Sequence, residues 1–210
     1  MNVLSLSDKV IPFIYSPQIK TRFDEVDLIL GCGDLAYTYL EYVLTALNAP
    51  LFFVRGNHDK VVEYGDSSPR SWPQGGVDLH NRVVHHQGCL IAGIEGSLRY
   101  RQGPFQYSQN QMWMNVFRLV PNLLFNHITR GRFLDIFISH APPYRIHDEE
   151  DLPHKGIKAF NWMINVFKPK YFFHGHIHVY RPDTTVRTQY RKTLIINTYG
   201  YKELNLEFDG

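Results

Sequence analysis

Short apolar runs alternate with polar, glycine-containing turns near the start of the chain. Runs of the length expected for buried strands occupy residues 3–6, 26–30 and 51–54. Residues 37–47, between the second and third runs, carry tyrosine, leucine, valine and alanine at helical spacing. This order of strand, turn, helix and strand predicts an α/β layout.

The same patterns continue along the chain, with more irregular connections. Residues 11–22 are ambiguous, with a short helix interrupted by prolines as one interpretation, and the polar segment 61–76 is predicted to be a loop. Further elements are predicted as strands at 83–86, 89–94, 134–139, 171–173, 193–197 and 204–208, and as helices at 156–167 and at 109–128, where Pro121 interrupts or kinks the pattern. We expect residues 1–210 to form a single domain.

The composition excludes several classes of protein. Hydrophobic residues make up 44% of the 210 residues, yet no run approaches the ~18–20 apolar residues of a membrane span. The net charge of +2 comes from interspersed acids and bases, so we expect neither a long nucleic acid nor a membrane as a partner. The N-terminus lacks a secretory pattern, and two cysteines do not make a disulfide framework, so a cytoplasmic location is expected.

Two histidines follow the apolar run at 171–173, in the sequence Tyr-Phe-Phe-His-Gly-His-Ile-His. Gly175 allows a tight turn or a close approach at this point. In an extended segment, His176 and His178 point to the same side, so both imidazoles aim at one spot past the strand end. Because neutral imidazole is the commonest protein metal ligand, the pattern indicates a metal site. A pair of surface histidines after an ordinary strand is the alternative.

Residues of similar chemistry follow the other predicted strands, and ligands gather at the carboxyl ends of strands in open α/β sheets. The full set of strand-end candidates is Asp8, Asp34, Asn57, His58, His140, His176 and His178. Their oxygen and nitrogen donors suit iron, manganese or zinc. Two carboxylates, three imidazoles and an amide are more than one tetrahedral site uses, whereas a two-metal site bridged by one carboxylate uses them all.

The order of these residues resembles the motifs of the calcineurin-like metallophosphoesterase superfamily. The matching segments, in chain order, are Asp8, Gly33-Asp34, Gly56-Asn57-His58-Asp59, His140 and Gly175-His176-Ile177-His178. The resemblance implies an α/β fold with a four-layer αββα sandwich of two mixed β-sheets flanked by helices. It also implies two metal ions held on loops at the strand ends.

The resemblance assigns a role to each candidate. Asp34 would bridge the two metals. The other ligands would be His140, His176 and Asn57 around one metal, and Asp8 and His178 around the second. His58 and Asp59 would be the catalytic residues: His58 would face the leaving group, and Asp59 would help to orient its loop.

Two positions depart from the commoner pattern of the superfamily. Val10 stands where most members have a histidine, and Tyr37 stands three residues after Asp34, where most members have an acidic or amide residue. Both changes occur together in purple acid phosphatases, in which this tyrosine binds ferric iron. The resemblance therefore implies Fe³⁺ plus divalent Fe, Mn or Zn, with Tyr37 as a ligand and two divalent ions as the alternative. Packing of Tyr37 at the helix start is the competing interpretation, and the similarity to this branch is limited to the ligand set.

The expected function is hydrolysis of a phosphomonoester or small phosphodiester by a dinuclear metal centre and a metal-bound hydroxide. His58 would stabilise charge on the phosphoryl group or protonate the leaving group. A small phosphorylated substrate is the expected partner, contacted by Asn57, His58 and Arg145. Two alternatives stay open, a ligand-depleted family member that acts as a protein-binding scaffold and a nucleotide phosphodiesterase.

Several prominent residues receive structural interpretations. His174 is expected to be a buried strand-end residue. The aromatic residues of the stretch after the second strand pair are expected to pack locally, with a substrate wall or an oligomer contact as alternatives; they are Tyr100, Phe105, Tyr107, Trp113 and Phe117. The sequence gives no indication of oligomeric state.

Overall fold

Two β-sheets packed face to face form the centre of the computed structural model, which describes residues 1–64 and 68–208. The strands are β1 (Asn2–Ser7), β2 (Leu28–Cys32), β3 (Leu51–Val54), β4 (Glu63–Tyr64), β5 (Pro69–Arg70), β6 (Val77–Asp78), β7 (Arg82–His86), β8 (Cys89–Ile94), β9 (Ser97–Leu98), β10 (Gln106–Tyr107), β11 (Ile136–Ser139), β12 (Tyr171–His174), β13 (Arg187–Tyr190), β14 (Thr193–Asn197) and β15 (Gly200–Asn205). The helices are α1 (Ile19–Arg22), α2 (Tyr37–Leu47), α3 (Gln109–Arg130) and α4 (Lys158–Phe167).

The first sheet has the strand order β15-β1-β2-β3-β6. β1, β2, β3 and β6 are parallel, and only the edge strand β15 is antiparallel to its neighbour. The second sheet has the order β13-β14-β12-β11-β8-β7, with a parallel centre and antiparallel strands at both edges. Both sheets are therefore mixed, and the parallel strands of each sheet share one carboxyl edge.

Three apolar layers separate four layers of secondary structure. Between the sheets, Leu30 and Val54 of the first pack with Ile138 and Phe173 of the second. Outside the first sheet, α1 and α2 cover its other face, and outside the second sheet α3 and α4 do the same. Strands buried on both faces need continuous apolar runs, which is why the sequence pattern located them. The predicted four-layer αββα sandwich is confirmed.

The helix α3 has strong signals at both ends. Ser108 caps it by accepting a hydrogen bond from the Gln111 backbone N–H (3.2 Å), while the Gln111 side chain accepts from the Ser108 N–H (2.8 Å). Gly131 ends the helix in a left-handed conformation, with φ of 73°. The helix continues through Pro121, which is exposed, because the opposite face is anchored in the core on both sides of this residue.

Several predicted boundaries were wrong. β1 and β2 extend further than predicted, to Ser7 and Cys32, and the ambiguous segment 11–22 contains only the short α1. The last strand is Gly200–Asn205 instead of 204–208, and β13 was missed because its polar residues alternate with partly buried ones at a sheet edge. The predicted loop 61–76 contains the paired β4 and β5, and its residues 65–67 lie outside the described residues. No helix within residues 1–64 and 68–208 is long and apolar enough to cross a bilayer.

Candidate metal centre

Apart from Tyr37, the predicted ligands lie in loops at the shared carboxyl edge of the two sheets. Asp8 follows β1, Asp34 follows β2, and His140 follows β11 directly. Asp8, Asp34 and His176 have left-handed backbones, with φ of 63°, 56° and 69°. Such values are uncommon outside glycine and cluster at functional sites. They also correct the sequence interpretation of an extended His176–His178 segment, because a left-handed residue turns the chain between these two histidines.

Two glycines allow the loops to meet. A Cβ atom on Gly33 would lie 2.6 Å from both the Gly56 nitrogen and His140 Nδ1, and the φ of this glycine is +89°. A Cβ atom on Gly175 would lie 2.5 Å from Asp8 Oδ2. Since no side chain fits at these distances, both positions require glycine for the loops to approach as they do.

Four hydrogen-bond acceptors converge at the centre of the site. Asp34 Oδ2, Asn57 Oδ1 and His176 Nδ1 lie 3.2, 3.1 and 3.1 Å from His140 Nε2. The far nitrogen of each imidazole contacts a main-chain carbonyl, with His140 Nδ1 2.8 Å from the Cys32 oxygen and His176 Nε2 2.8 Å from the Pro153 oxygen. Carbonyls only accept hydrogen bonds, so these far nitrogens carry the hydrogens. In the neutral rings, the nitrogens that face the centre therefore present lone pairs.

This convergence of lone pairs requires a positive charge at the centre. Burial lowers the pKa of His140, but the Asp34 carboxylate and its hydrogen bond outweigh burial and raise it to about 10. Burial acts in the opposite sense on Asp34, and the charge and hydrogen bond of His140 bring its pKa to about 2. Burial and then the charge of His140 lower the pKa of His176 to about 3. The donor set of two oxygens and two nitrogens fits a metal cation, which takes the place of the proton on His140.

The second group of predicted ligands is sparser. The Asp8 carboxylate is buried, and both its oxygens accept from the His176 backbone N–H at 3.1 and 3.0 Å. His178 is partly exposed, with Nε2 3.8 Å from Asp8 Oδ1 and Nδ1 2.8 Å from the Tyr180 hydroxyl. Burial, opposed by the charge of His140, raises the pKa of Asp8. Among the described residues, one buried group brings imidazole and carboxylate metal-ligand atoms within 4.8 Å of one another. It contains Asp34, His140 and His176 but neither Asp8 nor His178.

The geometry does not favour Tyr37 as an iron ligand, because its hydroxyl has another partner. It is the first residue of α2, it is buried, and its hydroxyl donates to the main-chain carbonyl of Lys60 at 2.6 Å. Burial, then the charge of Asp59, raise its pKa above the ordinary value, which disfavours a phenolate. The geometry thus favours the structural interpretation of Tyr37, as a link between α2 and the loop after β3.

The Asp59 carboxylate holds two of the site loops together. Its oxygens accept from the backbone N–H groups of Gly56 (2.7 Å), Asp34 (3.1 Å) and Leu35 (3.0 Å). Burial, then the charge of Asp34, raise its pKa to about 7. Because these donors occupy its oxygens, Asp59 is suited to positioning the loops, whereas the sequence prediction grouped it with His58 as catalytic.

A loop that sequence reasoning assigned to local packing reaches the site. The exposed His58 donates its backbone N–H to Asp34 Oδ1 (2.8 Å), and its Nδ1 lies 3.3 Å from Arg101 Nη2. Tyr100 accepts at its hydroxyl from Asn57 Nδ2 (3.3 Å). The strand-end pattern does not identify Arg101. The available signal was topological, because residues 99–105 follow β9, the short strand that comes directly after β8, and β8 is parallel to β11 and ends at the same carboxyl edge.

Open space lies on the His58 side of the centre. A cleft of about 330 Å³ is lined by residues that include Asp34, His58 and Lys60. Arg145, predicted to contact substrate, lines a different cleft with Asp148 and Glu149, and its guanidinium lies over the Tyr144 ring at 5.3 Å. The part of Arg145 in substrate binding stays a prediction.

His174 is buried at the end of β12, in agreement with its structural interpretation. Its Nε2 lies 2.9 Å from His147 Nδ1, and His147 Nε2 lies 2.8 Å from the Thr188 hydroxyl. Burial lowers the pKa of His174 to about 3 and that of His147 to about 4. This pair therefore stays neutral and braces the loop that carries His176.

Comparison with known proteins gives the same fold. An uncharacterized protein of Haemophilus influenzae is 29% identical over 220 residues, covering 94% of this chain and 87% of that protein. The crystal structure of TT1561 of Thermus thermophilus has a TM-score of 0.60 at 14% identity, covering 95% of this chain and 89% of the other. GAP50, the anchor in the inner membrane complex of Plasmodium, has a TM-score of 0.51 at 13% identity, covering 94% and 70%. At such identities the structural likeness shows the fold alone.

The family model of the calcineurin-like phosphoesterases matches residues 9–180, most of the chain. The match includes Asp34, Asn57, His140 and His176, and it begins directly after Asp8. Proteins of this family normally bind two metal ions. The chain therefore belongs to the calcineurin-like phosphoesterase family.

Proposed function

We propose that this protein is a metal-dependent phosphoesterase that hydrolyses a phosphomonoester or a small phosphodiester. The observation that carries the proposal is the convergence of four acceptors from Asp34, Asn57, His140 and His176 around one point beside an open cleft. Without a metal, the single hydrogen that protonated His140 carries on Nε2 has three acceptors around it, whereas one cation could bind all four atoms.

The residues around the centre divide into holding and reacting groups. Asp34, Asn57, His140 and His176 would hold one cation, and Asp8 and His178, with Asp34 shared, would hold a second. Bound cations would supply Lewis-acid chemistry, lowering the pKa of water and neutralising charge on the phosphoryl group. His58 and the loop after β9 would orient the substrate and assist the leaving group.

In this proposal, His58 acts on the leaving group. An N–H of Arg101 points at His58 Nδ1 (3.3 Å), so the hydrogen of the neutral imidazole lies on Nε2. From Nε2 the neutral ring can donate a hydrogen bond that stabilises the charge developing on the oxygen of a departing alcohol, whereas transfer of a proton would need the imidazolium form of His58. Arg101 forms none of the ion pairs found within residues 1–64 and 68–208, so its charge is available to phosphoryl oxygens in the cleft.

The geometry at Tyr37 changes the expected metal content. Its hydroxyl is bonded to the Lys60 carbonyl and its pKa is raised by burial, so no phenolate is in place to favour ferric iron. We therefore propose two divalent ions, with Mn, Fe and Zn as candidates, in preference to an Fe³⁺-containing pair.

The test combines elemental analysis with hydrolysis of p-nitrophenyl phosphate and bis(p-nitrophenyl) phosphate. In metal-loaded protein, His58→Ala is expected to keep the metal content and to lower turnover by roughly 10² or more. The matched control is His85→Ala, an exposed histidine on β7 whose loss should change neither quantity. Unchanged turnover in His58→Ala would remove this residue from the mechanism.

A protein-binding scaffold is the second candidate function. It is favoured by the sparse second ligand group, in which Val10 replaces a histidine and Tyr37 is bonded elsewhere. A protein that fails to hydrolyse either ester with Mn²⁺, Fe²⁺ or Zn²⁺, while folding normally, would support the scaffold and contradict the phosphoesterase.

A further inference from the structure

Helix α3 is apolar on two opposite faces. Its inner face packs into the layer beneath the second sheet through Met112, Val116, Leu119 and Leu123, all fully buried. This inner face explains why the helix is part of the fold. It does not explain the apolar residues on the other side.

The opposite face carries a row of large apolar side chains, here called the outer stripe. Its members and their exposed fractions are Met114 (52%), Phe117 (52%), Leu124 (48%), Phe125 (61%) and Ile128 (82%). With the exposed Pro121, they recur at three- and four-residue spacing, so they occupy one ~100° arc of the helix over a length of ~21 Å. No charged residue of α3 falls in this arc.

A continuous stripe of this kind indicates a binding surface. Single exposed apolar residues are normal, whereas contiguous patches mark interaction sites. A large aromatic side chain presents ~150–250 Å², so five large side chains with exposed fractions of 48–82% offer roughly 400–600 Å² of apolar surface. A standard interface buries about 800 Å² on each partner, so the stripe with its rim is of a size suited to a modest dimer.

Most of the outer stripe is symmetric about Pro121 along the helix, the exception being Leu124, whose counterpart three residues before Pro121 is Arg118. Met114 and Ile128 lie at equal distances before and after Pro121, and so do Phe117 and Phe125. A two-fold axis at Pro121 would run two copies of α3 antiparallel, with Met114 of one copy against Ile128 of the other. Phe117 would likewise meet Phe125. The paired apolar residues would then face one another, which is the self-complementarity that a two-fold interface needs.

The charged residues beside the outer stripe favour a second copy of the protein over a membrane surface as its partner. Helices that lie on anionic bilayers flank their apolar face with outward cations. Arg118, beside the outer stripe, instead donates to Asn115 Oδ1 at 2.9 Å and so folds back toward the protein. We propose that the outer stripe of α3 is the interface of a homodimer, formed antiparallel about Pro121.

Sedimentation velocity of the protein across a concentration series tests the proposal. The wild type is expected to shift from monomer to dimer, and Phe125→Glu to weaken dimerisation by on the order of a hundredfold, because the charge would be buried in the interface. Asn122→Glu, exposed on the side of the same helix, is the matched control and should dimerise like the wild type. A thermal melt checks that both variants fold.

A cross-linking experiment tests the register independently. Pro121→Cys would place two thiols at the two-fold axis, so an intermolecular disulfide is expected under mild oxidation, and not for Asn110→Cys near the helix start. The native Cys32 and Cys89 are buried and do not compete. A wild type that stays monomeric, or a dimer that Phe125→Glu leaves intact, would overturn the proposal. A monomer that instead binds vesicles of anionic lipid would assign the stripe to a membrane.

Discussion

The stability of the metal-free protein should fall as the pH rises from 7.5 to 9, and His140 is the cause. Its pKa is raised from the ordinary 6.5 to about 10 by the Asp34 carboxylate, against the opposing effect of burial. In this pH range the folded protein keeps the proton on His140, whereas the unfolded chain has lost it. The stabilisation is therefore complete below pH 6.5 and is lost as the pH rises through the folded-state pKa.

The magnitude follows from one proton. A difference of one bound proton changes the free energy of unfolding by about 1.36 kcal/mol per pH unit, so the loss between pH 7.5 and 9 is about 2 kcal/mol. Other titratable groups with raised pKa values contribute little to the change in stability between pH 7.5 and 9. Asp59, with its pKa raised by burial to about 7, acts mainly below this range, and the buried Cys32 and Cys89, whose pKa values burial raises above 9.0, act only from its upper edge, where these thiols ionise in the unfolded chain.

Urea unfolding of metal-free protein at several pH values measures the effect. With saturating Mn²⁺ the slope should disappear, because the cation would bind neutral His140 in the folded protein. His140 would then lack its proton in both the folded and the unfolded protein between pH 7.5 and 9. His140→Gln should flatten the profile without metal, while His85→Gln, which removes an exposed histidine, should leave it unchanged. A wild-type profile that is flat between pH 7.5 and 9, or an unchanged slope in His140→Gln, would refute the reasoning.

Three further predictions concern the loops around the centre. Asp59→Ala should lower the free energy of unfolding by about 3–5 kcal/mol in urea titrations, because it leaves three buried backbone N–H groups unpaired; a loss below ~1 kcal/mol would contradict the positioning role. Tyr37→Phe should cost about 1 kcal/mol through the lost bond to Lys60 and leave the metal content and visible spectrum unchanged; loss of a charge-transfer band would restore Tyr37 as a ligand. Arg101→Ala should lower kcat/KM on p-nitrophenyl phosphate by about 10²-fold. Arg130→Ala, which removes an exposed arginine at the far end of α3, should leave kcat/KM unchanged. Equal effects of the two variants would show that Arg101 contributes only through the overall charge of the protein.

The strand-end rule found the candidate ligands because it depends on local features. Each buried strand is a short apolar run, and each run is followed by its polar residue, as in Asp8 after β1 and His140 after β11. The rule failed for Arg101, whose loop follows β9, a short strand just beyond the end of β8. That loop reaches the centre only because β8 lies parallel to β11 in the second sheet, and strand order is not written in any local pattern.

Hydrogen-bond partners brought from distant segments decided two further assignments. Tyr37 matches a ligand motif in sequence, yet its hydroxyl partner is a carbonyl 23 residues away, and the two meet only when the loop after β3 folds against α2. His176 lies in a run that sequence suggests is extended, but its backbone is left-handed, and its N–H is held by Asp8 from the opposite end of the chain.

The sequence by itself determined the order of strands and helices and the chemical types that follow the strands, because burial follows from the spacing of apolar residues along the chain, while the four layers were implied by the family resemblance. Only the tertiary structure decided which atoms of those residues face the centre. The lone pairs of His140 and His176 point inward because carbonyls of Cys32 and Pro153, 108 and 23 residues away, hold the far side of each ring. The direction of a lone pair depends on such partners in space, and these exist only once the chain has folded.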